Sequence, residues 1–291
     1  MEILKAHPYF EVAEENFFLL KKRHWLMDTL DGLARLNPSY KSEIDKIKVP
    51  DFSVFMKHYY SRNLPVVLTG GVDHWKAIKY WSPEYFQEKI GEQIIEVQSN
   101  RSKSTQFERK AGQYKTKMTM KEFVNKVNSV ESSNDFYMTA NNTKSSFEGV
   151  AKLYEDIGEF AEGYVQVDRI NTQSFLWFGP KGTFTPLHHD LTNNMLIQMY
   201  GRKKISLISP LQVPYLYNDK GVFSDVFNPD DPDERAKFKL LQHTTKLECV
   251  LEPGDAIFIP IGWWHYVESL DTSISITFNN FNADNGYSKG L

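Results

Sequence analysis

The sequence predicts a mainly β protein, a sandwich or barrel that carries a helical layer on its N-terminal side. Three observations support this fold class. Aromatic residues make up 14% of the 291 residues, and aromatic side chains favour pleated sheets. Short apolar segments alternate with turn dipeptides throughout the second half of the chain. Near the N-terminus, apolar residues instead recur at helical spacing until Asn37-Pro38.

The N-terminal half is expected to be mostly helical. Ser82-Pro83-Glu84 combines an N-cap, a proline at the first helical position and an acid in the first turn, which is typical of a helix start. Helices are expected over Glu14–Leu36, from Ser82, and over Phe52–Arg62 and Met120–Val130, with short strands at Leu64–Leu68 and Gln93–Gln98. The polar stretch Ser99–Lys117 lacks apolar periodicity and is predicted to be a long loop, either solvated or in contact with substrate.

Short strands dominate from Asp135 onward. They are expected over Phe136–Ala140, Ser174–Gly179, Asn194–Tyr200, Lys203–Ser209, Glu248–Leu251, Ala256–Ile259, His265–Ser269 and Ser273–Asn279. Many short strands separated by turns indicate a sandwich or barrel. Asp225–Arg235 is predicted to be an irregular segment between strands. The chain is divided into an N-terminal helical segment, residues 1–49, and a β domain, residues 50–291.

Composition narrows the class of partner and compartment. The net charge of −3 does not favour a polyanion, so nucleic acid is the less favoured partner. A single cysteine, Cys249, excludes an intrachain disulfide and fits a reducing compartment. Neither a signal-peptide pattern nor an apolar run of membrane-spanning length is recognised. We therefore expect a protein without membrane contact in the cytoplasm, with the nucleus as the alternative.

The segment Thr185–Asp190 suggests a metal site. In an extended chain alternate side chains share a face, so His188 and Asp190 should point together and His189 away. His265, after a turn and a strand, is the best candidate for a third ligand. A His-x-Asp segment or a single histidine is by itself more often structural. Two imidazoles and a carboxylate together, however, suit Fe(II) or another divalent ion, with Zn(II) as an alternative. Three ligands leave positions for a bidentate cosubstrate and dioxygen.

A lysine near the predicted metal site points to an anionic ligand. Lys203 begins the strand after the Gly201-Arg202 turn, and a lysine facing a barrel interior is unfavourable unless it meets an anion. A dicarboxylate cosubstrate would provide that anion, and Thr185 and Tyr137 offer hydroxyl groups for it. The alternative is a lysine on the solvent face of a hairpin. Lys204 must face the opposite way.

Three stretches resemble the JmjC and cupin-type Fe(II)- and 2-oxoglutarate-dependent oxygenases, in particular their peptidyl, asparaginyl-type hydroxylases. They are LPVVLTGGVDHW at 64–75, LWFGPKGTFTPLHHDLTNNMLIQMYGRKKISLISP at 176–210 and LEPGDAIFIPIGWWHYVESLDTSISITFNNF at 251–281. The resemblance implies a double-stranded β-helix, or jelly-roll, core. It also implies an oxygenase that uses dioxygen and 2-oxoglutarate to hydroxylate an unactivated C–H bond.

The resemblance also implies roles for individual residues. Fe(II) would be bound by His188, Asp190 and His265. The far carboxylate of 2-oxoglutarate would meet Lys203, Thr185 and Tyr137. Asn194 and Asn279 resemble the asparagines beside its inner carboxylate, with Asn280 as the alternative to Asn279.

Substrate class is the least determined feature. A peptide or protein side chain is the leading expectation, and the alternatives are a small-molecule hydroxylase, an RNA or tRNA base hydroxylase and a binding module without turnover. Asp190 stands where many histone demethylases carry Glu, which favours a hydroxylase. The oligomeric state stays open.

Overall fold

The computed structural model describes residues 9–36, 43–140, 147–165, 174–218 and 220–287. Its strands are β1 (Asp45–Lys48), β2 (Val66–Thr69), β3 (Ile94–Ser99), β4 (Lys115–Thr119), β5 (Phe136–Tyr137), β6 (Ser174–Gly179), β7 (Phe184–His188), β8 (Asn194–Tyr200), β9 (Lys203–Ile208), β10 (Lys246–Leu251), β11 (Ala256–Ile259), β12 (Trp264–Ser269) and β13 (Ser273–Phe278). Its α-helices are α1 (Phe10–Leu36), α2 (Phe52–Phe55, continued by a π turn at Met56–Tyr60), α3 (Lys76–Tyr80), α4 (Pro83–Ile90), α5 (Met120–Asn128), α6 (Phe147–Tyr154) and α7 (Pro232–Lys237). None of these helices is long and apolar enough to cross a membrane.

The β core is a jelly roll of two sheets. One sheet has six strands in the order β1-β2-β11-β8-β13-β6, and the other has four in the order β10-β9-β12-β7. From β6 to β9 and again from β10 to β13, consecutive strands alternate between the two sheets. This alternation is the winding of a double-stranded β-helix, so the predicted fold class is confirmed.

Strand alternation separates two apolar cores. In β8, Leu196 packs inside the barrel with Val67 and Ile257, whereas Met195 and Ile197 face the helical layer. Successive side chains of a strand point to opposite faces, so a strand covered on both sides is buried along its length. The six-stranded sheet is therefore sandwiched between the barrel interior and the helices.

Helices α4, α5 and α6 cover the outer face of the six-stranded sheet. Ser82 caps α4 by accepting a hydrogen bond from the Tyr85 amide at 3.1 Å, as its sequence predicts. Thr119 and Glu122 form a capping box at the start of α5. Side chains from these helices pack edge-to-face on the β6 ring of Phe178, which ties the helical layer to the sheet.

Helix α1 contacts the barrel through polar groups. The sequence predicts that the apolar stripe of this helix packs onto the barrel, with a dimer contact as the alternative. Packing onto the barrel is wrong, because the members of the stripe are exposed, namely Phe18, Trp25 (62%), Leu26, Leu30 and Leu33. Asp31 instead accepts a hydrogen bond from Gln212 at 3.1 Å, and Asp28 accepts one from Tyr215 at 2.7 Å. The periodicity of the apolar residues predicted the helix correctly, but it did not predict which face of the helix packs against the barrel.

Several elements differ from the sequence predictions. The end of the predicted 99–117 loop is a strand, because β4 pairs antiparallel with β3. Strand β1, whose short polar sequence gave no strand pattern, pairs parallel with β2. Helix α6 was not predicted. Helix α7 begins inside the segment 225–235, which was predicted to be irregular, and extends past its end. The division of the chain at residue 49 stays a prediction.

The turn from β8 to β9, which leads from one sheet to the other and precedes Lys203, contains Gly201. Gly201 has a φ of +67°, and a Cβ there would overlap the carbonyl oxygen of Thr272. Gly221 has nearly the same φ, +68°, but open space around its Cα. Alanine substitutions at these two glycines therefore separate the cost of backbone strain from the cost of steric overlap.

We expect Gly221→Ala to lower the free energy of unfolding by about 1–2 kcal/mol, the cost of a left-handed non-glycine residue. Gly201→Ala should lower it by about 3 kcal/mol or more, because the overlap adds to the strain. Urea unfolding followed by circular dichroism measures both. Equal losses in the two variants would show that Thr272 does not constrain the turn between β8 and β9.

Candidate metal centre and adjoining cavity

Three predicted ligand side chains meet at the mouth of the barrel. His188 ends β7, Asp190 follows two residues later, and His265 lies on the neighbouring strand β12, directly opposite His188 in the antiparallel register. One ligand atom from each lies within 4.8 Å of the other two. The His265 Nε2 is 3.7 Å from the Asp190 carboxylate. Two imidazoles and a carboxylate are the donor set of the facial iron triad.

Backbone carbonyls orient both imidazoles in the same way. The Nδ1 of His188 is 2.8 Å from the carbonyl oxygen of Pro186, and the Nδ1 of His265 is 2.9 Å from that of Trp263. A carbonyl oxygen only accepts, so each Nδ1 carries a proton, and the neutral form of each ring then has its lone pair on Nε2. This is the outer-shell arrangement that prepares histidines to bind a metal.

The protonation states also suit a cation. Burial, together with the neighbouring His265, lowers the pKa of His188 to about 4, so its ring is neutral at pH 7. Burial alone would raise the pKa of Asp190, but the two imidazoles and the Asn194 amide outweigh it, and the net pKa lies below its usual value. The site therefore presents the neutral imidazole of His188 and the ionised carboxylate of Asp190 to a metal ion.

His189 lies outside this cluster, as strand alternation predicts. Its ring packs against Trp264 with centroids 4.7 Å apart. Asn194, predicted beside the cosubstrate, donates a hydrogen bond to Asp190 at 3.1 Å and so orients the carboxylate.

A cavity of about 290 Å³ opens beside the three side chains. It brings together the eight residues predicted from the sequence, namely His188, Asp190, His265, Lys203, Thr185, Tyr137, Asn194 and Asn279. Asn280, the alternative to Asn279, is buried but does not line the cavity.

Lys203 is the polar anchor at the inner end of the cavity. Its side chain is only 1% exposed, and its Nζ donates a hydrogen bond to the Tyr137 hydroxyl at 3.0 Å. Burial lowers the pKa of its ammonium group to about 7. Lys204, on the opposite face of β9, forms ion pairs with Asp230 and Glu248.

The donor set fits a divalent metal and a dicarboxylate. Among the described residues, no carboxylate forms an ion pair with Lys203, so its buried ammonium group lacks a counter-charge. A buried charge without a partner is costly, and a ligand carboxylate would relieve that cost. The three ligand side chains and Lys203 line one cavity. A single molecule bound there can therefore contact both the metal site and Lys203.

Sequence reasoning missed other cavity residues. Glu108 reaches the wall from the 99–117 loop, and Phe223 stacks on the His188 ring with centroids 5.4 Å apart. Trp177 also lines the cavity. The length of the 99–117 loop was the available indication, but nothing in its composition distinguished Glu108.

Residues 52–285 match the model of the cupin-like domain family. Lysine-specific demethylase 8 of Xenopus tropicalis is 32% identical over 250 residues, which cover 82% of this chain and 53% of that protein. Lysine-specific demethylase JMJ30 of Arabidopsis thaliana is 30% identical, with coverages of 77% and 51%. Human tRNA wybutosine-synthesizing protein 5 is 28% identical, with coverages of 76% and 72%. The chain thus spans about half the length of the two demethylase relatives.

We expect His188→Ala to weaken the binding of Mn(II) by more than about 100-fold, because loss of a ligand should exceed the 10–100-fold effect of outer-shell changes. His189→Ala is the matched control and should change the affinity by less than about threefold. Isothermal titration calorimetry under nitrogen measures both. A stronger effect from His189→Ala would refute the assignment of ligands.

Proposed function

The chain belongs to the JmjC group of the cupin-like domain family, and we propose that it is an Fe(II)- and 2-oxoglutarate-dependent oxygenase that acts on a protein side chain. One observation carries the proposal. A preorganised two-histidine, one-carboxylate cluster shares a cavity with a buried lysine that lacks a counter-charge. Such a cavity suits a metal ion and a dicarboxylate at the same time.

In this proposal His188, Asp190 and His265 hold Fe(II) through two Nε2 atoms and a carboxylate oxygen. The bound iron and 2-oxoglutarate supply the activation of dioxygen and the oxidation of a C–H bond. The carbonyls of Pro186 and Trp263 keep both rings in the binding tautomer. The protein contributes orientation and the correct protonation state before any ligand arrives.

Lys203 is proposed to fix the cosubstrate by its far carboxylate. Its ammonium group already lies against Tyr137, so the hydroxyl of Tyr137 can share the same carboxylate. Thr185 lines the cavity and offers a second hydroxyl. Asn194 and Asn279 are assigned to the inner carboxylate, with Asn194 also holding Asp190 in place.

Apolar side chains limit the access of water to this cavity. Phe223 covers one face of the His188 ring, and Leu196, Ile259 and Val267 contribute apolar wall. A dry site strengthens the interaction between Lys203 and a carboxylate, because the effective dielectric constant is low.

Two outcomes of the reaction are distinguished by the carbon that is attacked. Oxidation at a carbon bonded only to carbon leaves a stable alcohol, and Asp190 in the triad favours this hydroxylase outcome. Oxidation of an N-methyl carbon leaves an unstable product that loses formaldehyde, and the names of the frog and Arabidopsis relatives support demethylation. The name of the human relative keeps tRNA as an alternative substrate.

The proposal is tested by measuring the turnover of 2-oxoglutarate by the whole chain, first without and then with a candidate substrate. Purified protein with Fe(II) should convert 2-oxoglutarate to succinate, and peptide libraries then separate the outcomes by mass spectrometry. A gain of one oxygen supports hydroxylation, and loss of a methyl group with release of formaldehyde supports demethylation. Mass changes confined to metabolites or to tRNA would replace the protein substrate with those alternatives.

His188→Ala is the inactive control for every one of these assays. Failure of the wild-type protein to bind or decarboxylate 2-oxoglutarate in the presence of Fe(II) would reject the oxygenase. The chain would then be a binding module without turnover.

We expect the affinity for 2-oxoglutarate to fall about tenfold per pH unit above pH 7. The pKa of Lys203 is about 7 in the free protein, and the carboxylate binds the protonated amine, so binding takes up a proton at higher pH. Lys203→Ala should bind about 10–100-fold more weakly at pH 6.5, since a charge-assisted hydrogen bond is lost, and should lose this pH dependence. Calorimetry with Mn(II) measures the affinities.

Lys204→Ala is the matched control, because Lys204 faces away from the cavity. It should reproduce both the affinity and the pH profile of the wild type. A pH profile that persists in Lys203→Ala would assign the titration to another group.

A further inference from the structure

The strand register alone does not explain the position of Asp190. β7 ends at His188 and β8 begins at Asn194, so Asp190 lies in the turn between the two strands. Asn194 orients the Asp190 carboxylate, but a hydrogen bond between side chains does not fix the backbone that carries them. Further contacts must therefore hold the backbone of this turn if Asp190 is to stay beside the two histidines.

Asn193 is the buried centre of those further contacts. The residue is only 2% exposed, and its Oδ1 accepts a hydrogen bond from the amide of Ile261 at 2.9 Å. Its Nδ2 donates to the Oδ1 of Asn285 at 2.9 Å, and its backbone amide donates to the same oxygen at 2.8 Å. The hydroxyl of Tyr60 forms a further hydrogen bond with its side chain. A buried amide whose donors and acceptor are all used has one preferred position.

Asn285 completes this network from the segment that follows β13. Its Nδ2 donates to the carbonyl oxygen of Asn193 at 3.0 Å and to that of Asn279 at 2.8 Å. The Asn285 carboxamide thus pairs with both the N–H and the C=O of Asn193, as the backbone of a neighbouring strand would. We refer to Asn193 and Asn285 together as the asparagine clasp.

The asparagine clasp joins the turn that carries Asp190 to the turn that precedes His265. This second turn connects β11 to β12, and the carbonyl oxygen of its Trp263 orients the His265 ring. The amide of Gly262, in the same turn, donates to the Asp190 carbonyl oxygen at 3.2 Å, beside the hydrogen bond that Asn193 accepts. Two hydrogen bonds therefore connect the backbone of one proposed metal ligand with the turn that orients another.

We propose that Asn193 is a positioning residue of the metal centre, which acts by holding Asp190 in the place where it can bind a metal ion together with the two histidines. The inference rests on the proposed function and deepens it. Removal of the Asn193 side chain leaves the Ile261 amide without its acceptor, and an unpaired buried donor is costly. The two turns would then move apart or take up water, whereas metal ligands must be held to within about 0.5 Å.

The first measurement is the affinity of the whole chain for Mn(II), by isothermal titration calorimetry under nitrogen and without 2-oxoglutarate. We expect Asn193→Ala to weaken Mn(II) binding about 10–100-fold, the range for residues that orient metal ligands. Asn285→Ala keeps the hydrogen bond between Asn193 and Ile261, so its loss should be smaller, about 3–10-fold.

The second measurement, the absorption spectrum of bound Co(II) at saturation, separates a positioning role from a merely structural one. If Asn193 acts through Asp190, the spectrum of Asn193→Ala should shift from that of the wild type toward that of Asp190→Ala. Gln198→Ala is the matched control, because Gln198 is also a buried amide and donates to the carbonyl oxygens of Tyr200 and Gly201 at the other end of β8. It should keep the Co(II) spectrum and the Mn(II) affinity of the wild type to within about threefold.

A wild-type Mn(II) affinity and Co(II) spectrum in Asn193→Ala would overturn the inference, as would an equal loss of affinity in Gln198→Ala. Circular dichroism establishes whether each variant is folded, and Asn285→Ala decides by the same two measurements if Asn193→Ala is not. Failure of the wild type to bind Mn(II) would reject the proposed function as well. Binding by the wild type without an effect of either clasp variant would reject the positioning role alone.

Discussion

The antiparallel pairing of β12 with β7 is the constraint on which the candidate site depends. It sets His265 directly opposite His188, and β12 pairs on its other side with β9, whose first residue is Lys203. A one-residue slip in a strand turns every side chain to the other face. Such a slip would put His189 and Lys204 in place of the two groups that line the cavity. The register, rather than any loop, therefore holds the two histidines and the lysine together.

The second constraint is the cost of burying charge. Lys203, Arg101 and Glu108 are all withdrawn from water, and each has an incomplete set of partners among the described residues. Such groups lower the stability of a folded protein unless a ligand completes their interactions. The sheets and the helical layer, which bury large apolar cores, offset this cost. The cavity is therefore best understood as a site whose missing interactions belong to its ligands.

Local rules predicted the strand residues of the site well. Strand alternation alone placed His188 with Asp190, turned His189 away, and separated Lys203 from Lys204, because the period of a strand is fixed. Burial in the 99–117 loop could not be predicted in this way. Arg101 looks like a solvated basic residue in the sequence, yet it is buried because the distant Phe184 carbonyl and Gln98 accept its hydrogen bonds. The face of α1 that packs against the barrel was mispredicted for the same reason, because the tertiary contact of Asp31 with Gln212 outweighs the apolar stripe.

The division of labour between strands and loops explains why fold membership leaves the substrate open. The three proposed metal ligands and Lys203 lie on β7, β9 and β12 or next to their ends, where backbone pairing fixes their positions. Glu108 lies instead in the 99–117 loop, which is held by side-chain contacts and by hydrogen bonds from Arg109 to residues 223–225. A change in that loop would alter the charge of the cavity wall without disturbing the register of the sheets. The same core can thus serve different substrates when its loops differ.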